Sequence, residues 1–383
     1  MSQYEQYSVA DVKAASAQKL FTVISTFAGG GGSSTGYRLA GGDIRCINEF
    51  VEEAIATYSA NFPDTEIIVG DIKDHSGQDF LDRTGLKVGE LDIFDGSPPC
   101  SAFSLAGSRD KGWDKTKNYS DGKKQENIED LFFEFIRVAK DIQPKVIIAE
   151  NVKGITMGKS IEKLNQFVNA FEDIGYITTP KVLNAADFGT AQARERTIFI
   201  CVREDVADAI DLDFLTLGSA VFPQPTTSHI SLGSAIADIE NDPLQVQELL
   251  DFVEGGYQKK FINPLPFNPK KISKPSDKEN KSWNPKLSCF NMIRPPPHLP
   301  CPTLTASGQK RGLSGVFHPA SNRKLTIPEL KRLQGLPEDY ILTGTFDQQA
   351  ERIGRMVAPK MMAEVAKSVY EVVIKPFDKL SKV

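Results

Sequence analysis

The sequence of 383 residues predicts an α/β fold in which a doubly wound parallel sheet is joined to a smaller, loop-rich domain. Three observations support this prediction. Strand-like apolar runs alternate with helix-like segments in the first half of the chain, a glycine run follows the first strand directly, and the regular periodicity ends after residue 202. Strands separated by helices of this length are joined by right-handed crossovers, which build a parallel sheet.

The strand-like runs are short and apolar, as expected of strands that are covered on both faces of a sheet. Residue type and spacing predict strands over 20–27, 43–50, 66–72, 91–96, 144–152 and 197–202, the last being a candidate for an antiparallel strand. Apolar residues at helical intervals predict helices over 51–62, 128–142 and 161–175. Pro144 ends the second of these helices and Gly175 the third.

Beyond residue 202 the periodicity is lost and prolines become frequent, including the run from Pro295 to Pro297. A short patch near 230–239 has helical spacing, and regular patterns return at 327–335 and at 348–373, where Pro359 predicts a kink. We therefore predict a main domain formed by residues 1–202 and about 320–383, and a loop-rich domain from about 203 to 319.

The composition is that of a globular protein, because 40% of the residues are hydrophobic and 25% are charged. It argues against a disordered chain and against a disulfide scaffold. The five cysteines are scattered without a CxxC pair, and with four histidines the chain favours a reducing compartment and no metal site. No apolar run is long enough to span a membrane and the first twenty residues do not resemble a signal peptide, so we expect a cytoplasmic protein without a membrane partner.

The net charge of −5 conceals two basic stretches. Residues 257–290 contain eight lysines and two acidic residues, and residues 109–124 contain six basic and three acidic residues. Basic stretches on an acidic chain fit a protein that presents one face to phosphate groups. Solvated lysines on surface loops would give the same pattern, so charge alone leaves both interpretations open.

The glycine run of residues 29–32 lies between the first strand and a helix, where α/β folds bring ligands close to the backbone. Glu49 ends the second strand at a position suited to a ribose diol, and Asp71 offers a second carboxylate after the third strand. NAD, FAD and AdoMet proteins all have glycines at this position, and a tight turn without a ligand is a further interpretation. The absence of a GK[ST] sequence disfavours a triphosphate-binding loop.

Cys100 follows Pro98 and Pro99 at the carboxyl end of a predicted strand, the edge at which doubly wound sheets bind ligands. The two prolines predict a rigid turn that presents the thiol. An ordinary thiol has a pKa of about 8.5, so a nucleophilic role requires nearby cations or hydrogen-bond donors. The alternative for a lone cysteine is a small, buried, unreactive side chain.

Polar and charged side chains also lie at the ends of the later predicted strands. Glu150 and Asn151 close the apolar run IIAENV, where burial raises the pKa of a carboxyl group and suits it to share a proton with a ligand nitrogen. Arg194 and Arg196 precede the strand at 197–202, and alternation would place both on one side, able to bind phosphate or a carbonyl oxygen. A paired structural glutamate and a solvated strand edge are the alternatives.

The order and spacing of these motifs resemble those of the C5-cytosine DNA methyltransferases. TFAGGGGSSTGYRLAG is similar to the family's AdoMet-binding motif, GSPPCSAFS to its Pro-Cys motif, AENVKG to its Glu-Asn-Val motif and DFGTAQARERTIFI to its Gln-x-Arg-x-Arg motif. RPPPHLPCPTLTAS, RKLTIPELKRLQGLPEDY and RIGRMVAP resemble the closing motifs, in the family's order. The resemblance covers residues from about 21 to 202 and from about 294 to 370.

The resemblance implies a Rossmann-like AdoMet-dependent methyltransferase domain, and a target-recognition domain in the loop-rich segment. It implies Cys100 as the nucleophile, Glu150 as the partner of N3 and the exocyclic amine of cytosine, and Arg194 as a contact to the O2 side. Further residues implied at the catalytic pocket are Pro99, Asn151 and Arg196. The implied cofactor site for AdoMet, which leaves as S-adenosylhomocysteine, comprises Phe27, Ala28, Gly29, Gly31, Glu49, Asp71, Ile72 and Pro98. Residues 104–124 correspond to a loop that closes over the bound base.

The chain departs from the family pattern at three places. Ser25 stands where relatives usually have an acid, Ser101 replaces a glutamine, and Arg355-Met356 replaces an Asn-Ala or Asn-Ser pair near the cofactor. The Arg355 departure puts the cofactor contact of the last motif in question, because a long cation cannot replace an amide.

We predict an AdoMet-dependent DNA cytosine-C5 methyltransferase that acts as a monomer on double-stranded DNA. An extruded base, a thiol that adds to C6 and an acid that protonates N3 form a consistent mechanism, because C5 of cytosine is by itself a poor nucleophile. The alternatives are a tRNA-type methyltransferase, a catalytically silent DNA-binding regulator of the same fold and a nicotinamide-dependent oxidoreductase. The sequence does not reveal the DNA target, or whether a restriction endonuclease accompanies the enzyme.

Overall fold

The computed structural model describes residues 4–99, 130–226, 228–255, 292–312 and 315–380, and the backbone of two short strands at 117–118 and 124–125. Cys100, most of the predicted loop 104–124 and the lysine-rich stretch 257–290 lie outside the described residues.

The chain divides into two compact units. The first, called the sheet unit, comprises Val9–Asn184, Glu195–Pro225 and Pro359–Val383, and the second unit comprises Met1–Ser8, Ala185–Arg194 and Thr226–Ala358. The boundaries between them therefore fall at 8/9, 184/185, 194/195, 225/226 and 358/359. The target-recognition domain expected from about 203 to 319 is a functional assignment and stays a prediction.

Short strands are found in both units. In chain order they are β1 (Phe21–Thr26), β2 (Gly42–Glu49), β3 (Glu66–Val69), β4 (Ile93–Gly96), β5 (Lys117–Asn118), β6 (Lys124–Gln125), β7 (Val146–Val152), β8 (Tyr176–Asn184), β9 (Gln192–Ala193), β10 (Glu195–Arg203), β11 (Met292–Ile293), β12 (Cys301–Pro302) and β13 (Gly315–Val316).

The sheet unit contains a sheet whose described strands have the order β3-β2-β1-β4-β7-β10-β8. The first five are parallel, whereas β10 is antiparallel to both β7 and β8. In the second unit, β9 pairs with β12 and β11 with β13. Because parallel strands end at one edge, the segments that follow β1, β2, β3, β4 and β7 emerge together, and this edge is where doubly wound sheets bind ligands.

The helices have these bounds: α1 (Val9–Ser16), α2 (Gly32–Leu39), α3 (Glu52–Asn61), α4 (Gly77–Thr84), α5 (Asp130–Ile142), α6 (Ile161–Glu172), α7 (Glu204–Ala209), α8 (Phe214–Ala220), α9 (Leu232–Ile236), α10 (Pro243–Glu254), α11 (Ile327–Gln334), α12 (Phe346–Arg355), α13 (Pro359–Val369) and α14 (Lys375–Leu380). A π-helical turn, Tyr370–Ile374, joins the last two. No helix in the described parts of the chain has the length and apolar character needed to cross a membrane.

The predicted fold class is confirmed, and the predicted strands and helices lie within a few residues of the observed ones. The segment 348–373 differs, because it forms two helices rather than one kinked helix. Met356 is extended after α12, and Pro359 occupies the first position of α13, where its missing N–H is not needed. The antiparallel strand β8 was not predicted.

The core of the sheet unit lies between the sheet and its covering helices and is rich in phenylalanine. Phe132 of α5 stacks on Phe167 of α6 with ring centroids 3.7 Å apart, and Phe94 of β4 stacks on Phe135 at 4.8 Å. Elsewhere in this unit, α2 packs closely on α13, because a Cβ atom at Gly36 would lie 2.6 Å from the carbonyl oxygen of Pro359. Only glycine permits this approach.

Candidate active site and cofactor-binding edge

The turn between β1 and α2 has left-handed backbone at three of its five residues. The φ angles are 51° at Phe27, 56° at Gly29 and 89° at Gly31, which immediately precedes α2. Among the described atoms, a Cβ at Gly29 would meet only the Phe27 carbonyl oxygen within 4 Å, at 3.9 Å, so there is open space on this side of the residue. The turn, called the glycine loop (residues 27–31), lies at the edge of the sheet where the parallel strands end.

Glu49, at the end of β2, lies against the glycine loop. Its Oε2 atom accepts a hydrogen bond of 2.7 Å from the Gly29 N–H, while Oε1 accepts bonds of 2.9 Å from the N–H groups of Phe50 and Val51. These backbone donors fix the carboxylate and stabilise its charge, because charge-assisted hydrogen bonds are stronger than neutral ones.

The segment after β3 is also held at this edge. The Asp71 side chain accepts from the Lys73 N–H at 3.1 Å and starts a single helical turn, in which Ile72 is buried. Arg137 of α5 donates to the carbonyl oxygens of Ile72, at 3.2 Å, and His75, at 2.7 Å. Arg137 was not predicted from the sequence as part of this edge, since its partners are backbone atoms distant in the chain.

The segment after β4 leads toward the predicted nucleophile. Pro98 is buried and Pro99 is half-buried, and Cys100 follows outside the described residues. A Cβ atom at Gly96 would lie 2.5 Å from the Phe135 ring, so this last residue of β4 is packed tightly at the start of the turn.

Glu150 and Arg196 form a buried ion pair between β7 and β10. Arg196 Nε lies 2.6 Å from Glu150 Oε1, and the side chains are only 12% and 11% exposed, respectively. Burial lowers the pKa of the Arg196 guanidinium, an effect that the Glu150 carboxylate opposes. The structure thus brings together charged residues from the Glu-Asn-Val and Gln-x-Arg-x-Arg motifs. The neighbouring Asn151 is buried and accepts from the Val152 N–H through Oδ1, at 2.8 Å.

Arg194 has a different set of partners, within the second unit. Its guanidinium donates to the carbonyl oxygens of Leu304, at 2.9 Å, and Gly354, at 3.1 Å, and the residue is 1% exposed. Gln192 reinforces this arrangement, since its Oε1 accepts from the Leu304 N–H at 2.9 Å and its amide donates to Gln334 at 2.8 Å. The strand is interrupted at Arg194, so the alternation expected for Arg194 and Arg196 does not extend across it.

Two departures from the family pattern have partners in the structure. Ser25 donates to the buried Asp95 carboxylate at 2.6 Å, and Arg355 donates to Glu351 in its own helix at 2.5 and 2.9 Å. Lys310 pairs with the same Glu351 at 2.5 Å. Arg355 is therefore engaged by an acid within α12. Asp95 was not predicted as a candidate site residue, although an acid inside the apolar run LDIFDG was a signal.

Comparison with known proteins gives consistent matches along the chain. Residues 21–371 match the family model described as C-5 cytosine-specific DNA methylase. The chain is 30% identical to the type II methyltransferase M.DdeI of Desulfomicrobium norvegicum, over 91% of this chain and 88% of that protein. It is 29% identical to the type II methyltransferase M1.HphI of Haemophilus parahaemolyticus, over 91% of this chain and 86% of that protein.

Solved structures share the fold. A prophage-encoded Escherichia coli protein described as a DNA modification methyltransferase superimposes with a TM-score of 0.65 at 22% identity, covering 92% of this chain and 99% of that one. The Dnmt2 methyltransferase of S. pombe superimposes with a TM-score of 0.59 at 16% identity, covering 92% and 98%.

Proposed function

This chain belongs to the family of C-5 cytosine-specific DNA methylases, and on that basis we propose that it acts on a cytosine flipped out of duplex DNA, with Cys100 as the nucleophile and Glu150 as the proton donor to the base. Family membership makes the chain a DNA cytosine-C5 methyltransferase, and the family's mechanism proceeds through a covalent bond between a cysteine and the base. The methyl donor of the family is AdoMet.

The described residues of the sheet edge fit AdoMet. Among the described residues there is open space beside Gly29, which leaves room for a ligand at this residue, and the fixed Glu49 carboxylate has the acceptor character that a ribose diol requires. Asp71 and Ile72 are held in a neighbouring turn, where an adenine ring would be contacted. The residues that we propose to hold the cofactor are Phe27, Ala28, Gly29, Gly31, Glu49, Asp71, Ile72 and Pro98. Bound AdoMet supplies an electrophilic methyl group.

The residues of this chain prepare the base to accept that methyl group. The Cys100 thiolate forms a bond to C6, the electrons of the C5–C6 double bond move toward N3, and Glu150 donates a proton there. The resulting enamine has a nucleophilic C5. As C5 takes up the methyl group, the N3 proton returns to Glu150. A base then removes the C5 proton, and the electrons of that C–H bond re-form the C5–C6 double bond and expel the Cys100 thiolate.

The Glu150–Arg196 ion pair is the single structural observation that best supports this proposal. A buried carboxylate that approaches a base nitrogen must be held in place, and Arg196 holds it through a contact of 2.6 Å. Arg194, proposed from the resemblance as a contact to O2, anchors Leu304 and Gly354 in the described structure. Pro99 and Asn151 complete the proposed pocket.

DNA binding is proposed to involve residues 104–124 as a closing loop and the region 203–293 as the recognition segment. The support is the basic character of residues 109–124 in the first segment and of residues 257–290, with eight lysines, in the second. We further propose that the enzyme acts as a cytoplasmic monomer. A companion restriction endonuclease is part of the proposal, because the similar proteins are named type II methyltransferases.

Covalent trapping tests the proposal directly. Duplex DNA containing 5-fluorocytosine, incubated with the protein and AdoMet, is expected to give an adduct stable in denaturing gels. After methylation C5 carries fluorine instead of a proton that a base could remove, so the thiolate is not expelled. Cys100→Ser should give none, and Cys46→Ser, which changes a fully buried cysteine of β2, should give the adduct as the parent protein does. An adduct that persists in Cys100→Ser contradicts the proposed nucleophile.

Tritiated-methyl transfer to duplex DNA and to tRNA tests the substrate. We expect label in DNA. Label in tRNA alone contradicts the DNA assignment, and duplex binding without label in either substrate identifies a silent regulator. Bisulfite sequencing of DNA from cells that express the protein then gives the target sequence.

A further inference from the structure

Asp95, the residue before the last one of β4, lies at the centre of a buried hydrogen-bond network. It is directly opposite Ser25 in the parallel pair of β1 and β4. Its carboxylate accepts from the Ser25 hydroxyl at 2.6 Å and from the Tyr37 hydroxyl of α2 at 2.9 Å, and its carbonyl oxygen accepts from the Thr26 hydroxyl at 3.1 Å. All four residues are at most 1% exposed.

A buried acid lowers the stability of the fold unless hydrogen bonds or an opposite charge compensate for its lost hydration. Burial raises the pKa of Asp95 to about 7, the hydroxyls of Ser25 and Tyr37 oppose this rise, and the Glu150 charge adds to it. An apolar side chain would avoid the desolvation. The network is thus more than a means of filling the core.

The network connects the two segments of the sheet edge that serve the reaction. Ser25 and Thr26 directly precede the glycine loop, and Tyr37 belongs to the helix that follows the loop. On the other strand, Asp95 and Gly96 directly precede residues 97–99, the approach to the predicted nucleophile. Asp95 lies in β4, the strand that leads into residues 97–99. From there it bonds to β1, which precedes the glycine loop, and to α2, which follows it.

We infer that Asp95 is a positioning residue for methyl transfer, whose carboxylate holds the glycine loop and residues 96–99 in one fixed arrangement. The inference rests on the proposed function. The two hydroxyls donate to separate oxygens of the Asp95 side chain, Ser25 to Oδ2 and Tyr37 to Oδ1, whereas an amide has a single acceptor oxygen. The role consequently requires an acid rather than any polar side chain.

The same pair of strands supplies a matched control. At the opposite end of β1, the Thr22 N–H and hydroxyl donate to Asp92 at 2.7 and 2.9 Å, and Asp92 pairs with Lys145 at 2.7 Å. Asp92 thus connects β1 with the start of β4, and Asp95 connects β1 with the end of β4. A purely structural contribution should be similar for both acids, whereas a positioning role belongs only to Asp95.

The first test compares Asp95→Asn with Asp92→Asn. Asp95→Asn removes one of the two acceptor atoms that hold Ser25 and Tyr37 on either side of the glycine loop. It should weaken S-adenosylhomocysteine binding, measured by calorimetry, and raise the KM for AdoMet, each by about tenfold. A merely structural defect would lower kcat per total protein through a smaller folded fraction and leave KM unchanged, and this is the result expected of Asp92→Asn. Cofactor affinity within twofold of the parent in folded Asp95→Asn would overturn the inference.

A second test exchanges the acid between the strands and stays informative if Asp95→Asn does not fold. Ser25→Asp places two carboxylates side by side, and Asp95→Ser removes the acid that accepts from Ser25 and Tyr37, so both single variants should bind S-adenosylhomocysteine weakly. The double exchange restores one acid and one hydroxyl, and we expect it to recover most of the affinity, a coupling that independent sites do not show. Additive losses would contradict the inference, as would parent-like affinity in Tyr37→Phe, which removes one donor.

The two hypotheses fail in different ways. If the parent protein transfers no methyl group to any nucleic acid, the proposed function fails, and the binding and exchange measurements still test Asp95. If the parent is active and Asp95→Asn matches it, only the present inference fails.

Discussion

The carboxylate of Glu150 and the guanidinium of Arg196 lie 2.6 Å apart in the interior of the sheet unit, on neighbouring antiparallel strands. The two residues come from different motifs, separated by more than forty positions. Each provides the charge that makes burial of the other tolerable, so the acid proposed to protonate the base depends on the arginine for its position.

Breaking this ion pair should affect stability and catalysis together. Glu150→Gln leaves Arg196 buried without its carboxylate, and loss of one partner from a buried pair typically lowers the free energy of unfolding by about 3–5 kcal/mol. We expect methyl transfer to fall by at least about a hundredfold, as for loss of a general acid. Urea unfolding and tritium incorporation measure the two effects. The exposed pair Arg83–Glu66 is the control, since Arg83→Ala should change stability by about 1 kcal/mol or less.

Arg194 should contribute mainly to stability. Arg194→Ala removes the donors from the buried carbonyl groups of Leu304 and Gly354, and each unsatisfied group lowers the free energy of unfolding by about 1–3 kcal/mol. Thermal unfolding measures the loss, and activity is compared per folded molecule. An Arg194→Lys protein with unchanged stability and no methyl transfer would instead support the direct contact to cytosine O2 that the family resemblance implies.

Gly29 should be required for the ligand rather than for the fold. Alanine at a left-handed position lowers the free energy of unfolding by about 1–2 kcal/mol. Gly85 has a φ of 69°, and a Cβ atom at this residue would have no heavy atom of the described residues within 4 Å, so its replacement by alanine should lower stability by the same amount. Only Gly29→Ala is expected to weaken S-adenosylhomocysteine binding, as measured by calorimetry. Equal affinities in the two variants would contradict the cofactor site proposed at the glycine loop.

The stability of the protein should depend on the ionisation of Asp95. Burial raises the pKa of this acid from 3.8 to about 7, so the folded protein binds a proton there that the unfolded chain releases. Stability conferred by the protonated form is complete below pH 3.8 and declines as the pH rises toward about 7. Urea unfolding between pH 5 and 8 should show this decline relative to Asp95→Asn, which cannot ionise. The groups that face Asp95 are Ser25, Tyr37 and Glu150, and parallel curves for parent and variant would exclude ionisation of Asp95 in this range.

The lysines of 257–290 lie outside the described residues, and their role can be tested by salt dependence. Replacing Lys270, Lys271, Lys274 and Lys278 with alanine should weaken binding to duplexes of any sequence. The slope of log K against log salt should become shallower by about 0.9 for each phosphate group that the variant no longer neutralises. Alanine at the exposed Lys13 and Lys140 serves as the control. An unchanged slope would mean that these lysines are only solvated.

Apolar strands and amphipathic helices were predictable because each buries a continuous face, as at β7 and α5. The strand β8 was missed because it lies at the edge of the sheet, where Pro180 and several polar residues are tolerated and no apolar run is required. The pairing of Glu150 with Arg196 could not be read from spacing, since it depends on which strands become neighbours. Alternation failed at Arg194, because the strand is interrupted there and the side chain bonds to carbonyl groups distant in sequence.

The close approach of Gly36 to the Pro359 carbonyl group has a consequence for biosynthesis. The helix that follows the glycine loop is made early, but the helix on which it packs begins more than three hundred residues later. A ribosome must therefore synthesise the helix that begins at Pro359 before this part of the core can close. Until then the nascent sheet keeps an uncovered apolar surface, which makes the unfinished chain a candidate for chaperone binding.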